Sequence, residues 1–144
     1  VPPRRNGSRA LAGGLAAGCL LLAACQHGQP PQTSTPQRGD VTVTPGPDGV
    51  QSVQVDANPQ YRFVPATIRV ATGRVRITLR VAGATPHNLT FTSLVDAGRR
   101  VAVPTLSGGV QQSIDFRVST PGQYRFVCTI HENLGQTGTL IVTR

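Results

Sequence analysis

Arg74-Val75-Arg76-Ile77-Thr78-Leu79-Arg80-Val81 alternates without a break between polar and apolar side chains. A period of two belongs to a strand, whose successive side chains point to opposite faces, so this run has one face for a core and one for water. Further along the chain, Ile114, Phe116 and Val118 alternate with Asp115 and Arg117 in the same way. Tyr124, Phe126 and Cys128 share a parity, which puts the cysteine on the inward face of its strand. Thr139 to Thr143 reads as a last strand, Val53 with Val55 as an early one, and Ile68 with Val70 as another. Turn signals at Ala71-Thr72-Gly73, Ala82-Gly83, Ser107-Gly108-Gly109 and Thr120-Pro121-Gly122 separate these runs. Six or seven short strands with such punctuation predict an all-β sandwich or barrel over residues 50–144. A domain of about 95 residues buries one core with little margin.

Upstream of that domain the composition changes twice. Arg4, Arg5 and Arg9 precede an apolar run from Ala10 to Ala24, and then comes Cys25. A basic start, a short apolar core and small residues before a cut site describe an export signal over residues 1–24. Fifteen residues fall short of the roughly 20 that span a bilayer. Leu22-Ala23-Ala24-Cys25 resembles a bacterial lipobox, in which cleavage leaves the cysteine as a lipid-bearing N-terminus. The expectation is an exported protein anchored to the extracytoplasmic face of the membrane through Cys25, by the Sec or the Tat route. From Cys25 to Gly49 the chain is rich in Pro, Gln, Thr and Ser, including Pro30, Pro31, Pro36, Pro45 and Pro47, and reads as a semi-extended tether. Val41 and Val43 could form a stray edge strand there.

All fourteen basic residues are arginine, against six acids, for a formal net charge of +8. With the three signal arginines gone, eleven remain and the net charge is +5. That biases encounters toward anionic partners or surfaces. Nucleic acid is not expected, because aromatic residues are sparse, the arginines are scattered and no phosphate-binding loop is present. The stripe Arg74, Arg76, Arg80 reads as a solvated face that guards against edge pairing, with docking of an acidic partner as the alternative.

Of the three cysteines, Cys19 leaves with the signal and Cys25 carries the lipid, so Cys128 stands alone in the domain. A free cysteine can be an inert hydrophobe. Here His131 follows three residues later and His87 lies upstream, just after Thr85-Pro86, where the chain is expected to turn at one end of the sandwich. A thiolate with two imidazoles suits copper, with zinc as the competing choice. The chain contains no methionine. Gln136 follows His131 on the same loop, beside Glu132, whose carboxylate reads as a solvated loop charge.

Pro86-His87-Asn88-Leu89 and Tyr124-Arg125-Phe126-Val127-Cys128-Thr129-Ile130-His131 resemble the cupredoxins, the plastocyanin- and azurin-like blue copper proteins. Phe63-Val64-Pro65-Ala66-Thr67-Ile68-Arg69-Val70, Pro121-Gly122-Gln123-Tyr124 and Gly138-Thr139-Leu140-Ile141-Val142 follow the family's order. The resemblance implies a Greek-key β-sandwich or barrel of about seven strands and a single copper ion. By position, His87, Cys128 and His131 are the implied equatorial ligands. Gln136 falls where the family usually has methionine, as in the stellacyanin-like members. Asn88 is the implied tie to the cysteine loop, a supporting role of the kind that orients metal ligands.

These features imply a membrane-tethered, monomeric carrier of single electrons in the cell envelope, working with a redox protein and performing no catalysis. Copper delivery or sequestration uses the same ligands but needs metal exchange, and the methionine- or histidine-rich tracts that would favour it are absent. A metal-free interaction module is the third reading, against which all three equatorial residue types are retained.

Overall fold

The computed structural model describes residues 39–144. The signal segment, Cys25 and most of the tether lie outside the described residues. Ten strand segments form two sheets: β1 (Asp40–Thr42), β2 (Val50–Asn58), β3 (Arg62–Val64), β4 (Thr67–Ala71), β5 (Gly73–Val81), β6 (His87–Asp96), β7 (Arg99–Leu106), β8 (Gln111–Val118), β9 (Gly122–Val127) and β10 (Thr137–Thr143). One sheet has the order β1-β4-β10-β9-β6-β7 and the other β3-β2-β5-β8. Among the described residues the only helical element is a 3-10 turn, Glu132–Leu134, and no helix is long and apolar enough to cross a membrane.

The expected all-β sandwich is present, with the differences at its margins. β1 pairs in parallel with β4 as the edge strand expected around Val41, so the sheet begins ahead of Val50, inside the segment otherwise expected as tether. Val41 packs against the core, which explains why this short edge stays in place. The unforeseen hairpin β6–β7 supplies one edge of the larger sheet.

Burial follows the alternation that defines β5. Val75, Ile77, Leu79 and Val81 are buried, while Arg74 and Arg80 face out. Opposite them, Ile68, Val70, Leu89, Phe91, Phe126, Leu140 and Val142 close the core from the other sheet. Four phenylalanines stack through it in a row, with centroids 5.3 Å apart for Phe63–Phe126, 5.5 Å for Phe126–Phe91 and 5.6 Å for Phe91–Phe116. Each such ring contributes about 1.5–3 kcal/mol by leaving water. Phe126 lies two residues before Cys128, so this aromatic row fixes the end of β9 that leads into the site. Its ring fits only because Gly138 pairs opposite it: a Cβ there would lie 2.2 Å from the ring.

Buried Gln51 joins the two sheets. Its Nε2 donates to Ala71 O at 2.9 Å and its Oε1 accepts from Ala71 N–H at 2.7 Å, so a side chain of β2 satisfies the backbone at the end of β4. The arginine stripe on β5 is a paired surface: Arg76 forks onto Asp115 and Arg80 onto Asp56. Exposed pairs of this kind contribute little to stability, because solvent screens them. Pairing leaves Arg76 and Arg80 little charge to offer a partner.

Candidate metal centre

The site lies at one end of the sandwich, where β6 begins and β9 gives way to β10. His87, expected on a turn just after Thr85-Pro86, is instead the first residue of β6, just past the bend at residues 83–85, and pairs with Leu106 of β7. Cys128 follows β9 directly. The loop from Cys128 to Gln136 closes on itself: Cys128 N–H donates to Gln136 O at 3.0 Å, His131 N–H to Cys128 O at 3.0 Å and Gln136 N–H to His131 O at 3.3 Å. Gly135, at φ +84°, ends the 3-10 turn in the left-handed region that glycine adopts without steric cost.

Four donor atoms converge. His87 Nδ1 lies 3.1 Å from His131 Nδ1, and Cys128 Sγ lies 3.9 Å from the former and 3.5 Å from the latter. Gln136 Oε1 lies 2.8 Å from His87 Nδ1. His87, Cys128 and Gln136 are fully buried and His131 is partly buried. Thus every residue expected as a ligand is brought to one point.

Protons alone serve this arrangement poorly. Two imidazole nitrogens, a sulfur and an amide oxygen all face inward, and a single N–H can satisfy only part of such a set. Burial lowers the His87 pKa first of all. The Gln136 hydrogen bond opposes that, and the charge of His131 lowers it further. Burial thus favours the neutral imidazole, the form that ligates metal. His87 Nε2 and Gln136 Nε2 are buried without hydrogen-bond partners, so these side chains are aimed by what their other atoms face. A cation at the convergence point would satisfy all four atoms. Calcium and magnesium take oxygen ligands; one thiolate, two imidazoles and one amide oxygen suit copper.

Asn88, next to His87, ties β6 to the cysteine loop. Its Oδ1 accepts from Thr129 N–H at 2.8 Å, and its Nδ2 donates to Thr129 Oγ1 at 2.7 Å and, weakly, to Thr105 Oγ1 at 3.4 Å. Glu132 takes no part in the donor set, because its carboxylate accepts from Arg125 Nη1 at 2.6 Å. Tyr61 and Arg62 were not foreseen. The Tyr61 ring lies on His131 with centroids 4.7 Å apart, and Arg62 Nη1 donates to Leu134 O at 3.1 Å. No periodic signal marks either residue; only the Asn58-Pro59 turn signal ahead of them hints that the chain reverses there.

A family model for the cupredoxin-like domain matches residues 14–142. Plastocyanin from Dryopteris crassirhizoma is 31% identical over 91 residues, covering 57% of this chain and 88% of that protein. Two solved structures share the fold. Auracyanin from the photosynthetic bacterium Roseiflexus castenholzii superposes with a TM-score of 0.58 at 18% identity, over 65% of this chain and 97% of that one. The metal-binding domain of the Cu(I)-exporting P-type ATPase CopA of Streptococcus pneumoniae D39 gives a TM-score of 0.59 at 20% identity, over 73% of this chain and 96% of that one. With the family model spanning most of the chain, the donor set at one end of the sandwich has its setting: this protein belongs to the cupredoxin-like domain family.

Proposed function

We propose that the protein carries single electrons, using one copper ion that His87, Cys128 and His131 would hold with Gln136 as a fourth donor. The observation that carries this reading is the convergence of two imidazole nitrogens, one cysteine sulfur and one amide oxygen at one end of the β-sandwich. When bound, copper supplies the one-electron couple between Cu(II) and Cu(I). The side chains hold the donors in place, so that either oxidation state meets nearly the same cage. His87, Cys128 and Gln136 exclude water, and His131, the one partly exposed donor, gives electrons their shortest way to a partner. An amide oxygen is a harder donor than a thioether and favours Cu(II), so the centre is a weaker oxidant than a methionine-ligated relative.

A cage closed by four donors leaves no position for a substrate, which fits a carrier and not an enzyme. The Asn88 tie and the self-closed Cys128–Gln136 loop favour retention of the metal over its delivery. The basic N-terminal run, Leu22-Ala23-Ala24-Cys25 and the proline-rich tether support export, with a lipid on Cys25 holding the domain near the membrane. Residues 1–24 then act as the signal, 25–49 as the lipidated tether, and the sandwich as the copper-binding domain. The redox partner is a protein of the same compartment, met by a monomer. Addition of Cu(II) to the purified domain tests the reading. An intense visible charge-transfer band is expected, and Cys128→Ser should abolish it. A colourless domain that binds zinc tightly would overturn the carrier assignment.

A further inference from the structure

The turn between β2 and β3 belongs to the smaller sheet, yet it reaches the metal loop of the larger one. Asn58 organises it: Oδ1 accepts from the backbone N–H groups of Gln60 at 3.1 Å and Arg62 at 3.0 Å, and its carbonyl accepts from Tyr61 N–H at 3.1 Å. Tyr61 is thereby set at φ +56°, a left-handed conformation that costs free energy for any residue with a bulky side chain. Glycine would adopt it freely and asparagine at little cost. What tyrosine adds is its ring, tilted 42° on His131 at 4.7 Å and edge-on to His87 at 6.3 Å. Arg62 completes the contact. Its Nη1 donates to Tyr61 O at 2.9 Å and to Leu134 O at 3.1 Å, a carbonyl at the end of the 3-10 turn that follows His131. His131 is therefore covered on its ring while the loop behind it is tied down.

We propose that Tyr61 and Arg62 form a latch that slows loss of the metal. The ring keeps the His131 imidazole in its donor orientation, and the guanidinium keeps the carrying loop closed. Both are positioning residues, one acting through a ligand ring and the other through a backbone carbonyl. Because His131 is the one partly exposed donor, metal departure requires its ring to swing outward, and the latch opposes that movement. The inference rests on the copper reading above and deepens it, since a latched donor suits a protein that keeps its metal.

The test loads the full chain with Cu(II) and follows loss of the visible band in excess EDTA. Tyr61→Phe keeps the ring and should release copper at the wild-type rate. Tyr61→Gly should release it faster by about 2- to 12-fold, the range set by one aromatic pair. The thermal midpoint of the same variant without metal should not fall, because glycine relieves the left-handed backbone. A merely structural role would move both readouts together. Arg62→Gln should also release copper faster. Wild-type release rates from Tyr61→Gly and Arg62→Gln, with the band intact, would overturn the latch and leave the copper reading standing. Should Tyr61→Gly fail to fold, Tyr61→Asn takes its place with the same two outcomes. In the metal-free protein, Tyr61→Gly and Arg62→Gln should speed hydrogen exchange at the His131 and Gln136 amides that close the loop, and Tyr61→Phe should not. Unchanged exchange there rejects the latch whether or not copper binds.

Discussion

Replacing Asn88 by alanine removes a side chain that ties the strand of His87 to the residue next to Cys128. Asn88 is 8% exposed and makes two short bonds to Thr129, at 2.7 and 2.8 Å, besides the weak one to Thr105. A hydrogen bond of this kind contributes a net 0.5–1.5 kcal/mol, so Asn88→Ala should destabilise the metal-free domain by about 1–3 kcal/mol. For a domain of this size each kcal/mol shifts the melting temperature by about 4–8 °C, which predicts a fall of roughly 5–20 °C. Circular dichroism on the metal-free protein gives that number directly. Thr129→Val removes the Oγ1 acceptor and spares the backbone N–H, so it should cost about half as much by the same reasoning. In the copper-loaded protein, Asn88→Ala should also shift the visible band, because Thr129 is the residue next to Cys128. An unchanged midpoint and spectrum would mean that the loop is held from elsewhere. Equal losses from the two variants would refute the division between side-chain and backbone bonds.

Gln136→Met exchanges a hard oxygen for a soft sulfur and should raise the reduction potential while the visible band persists. A rise of about 59 mV would already be a tenfold change in the one-electron equilibrium constant, and an unchanged potential in voltammetry would show that Gln136 faces away from the metal. Gly138→Ala forces a Cβ to within 2.2 Å of the Phe126 ring and 2.7 Å of Ala66 O. Overpacking of this kind costs about 1–3 kcal/mol or more, so denaturant midpoints should fall, and a normal midpoint would refute the close packing. Cys25→Ser should move the protein from the membrane fraction to the soluble fraction. Mass spectrometry of a mature wild-type chain starting elsewhere would remove the lipid assignment.

The strands legible in the sequence are those whose parity never slips. Val75 to Val81 and Ile114 to Val118 keep one parity throughout, and their pairing is regular. β6 does not: Leu89 and Phe91 are buried on one parity and Leu94 on the other, with a register shift between Thr90 and Val95. A bulge of this kind erases the alternation on which strand reading depends. β7 hides behind Pro104, which a central strand would not tolerate; as an edge strand it loses nothing by lacking that N–H. In the site, His87, Cys128 and His131 could be read because their residue types carry their chemistry in the open, whereas Gln136 and Asn88 came only through their positions in the family resemblance. Tyr61 and Arg62 could not. Their roles come from a left-handed turn and from a contact between sheets more than seventy positions apart in sequence, neither of which leaves a local pattern.

The loop from Cys128 to Gln136 supplies three of the four donors and is sealed at its base by the pairing of Val127 with Thr137. Everything below that pair is sandwich, and His87 enters from a different strand. The candidate metal centre is therefore a portable cassette clipped onto a fixed socket. Residues added between His131 and Gln136 would change how far apart those two side chains sit without asking the sheets to move. On the copper reading proposed above, one scaffold can serve many redox poises by exchanging a single hairpin tip.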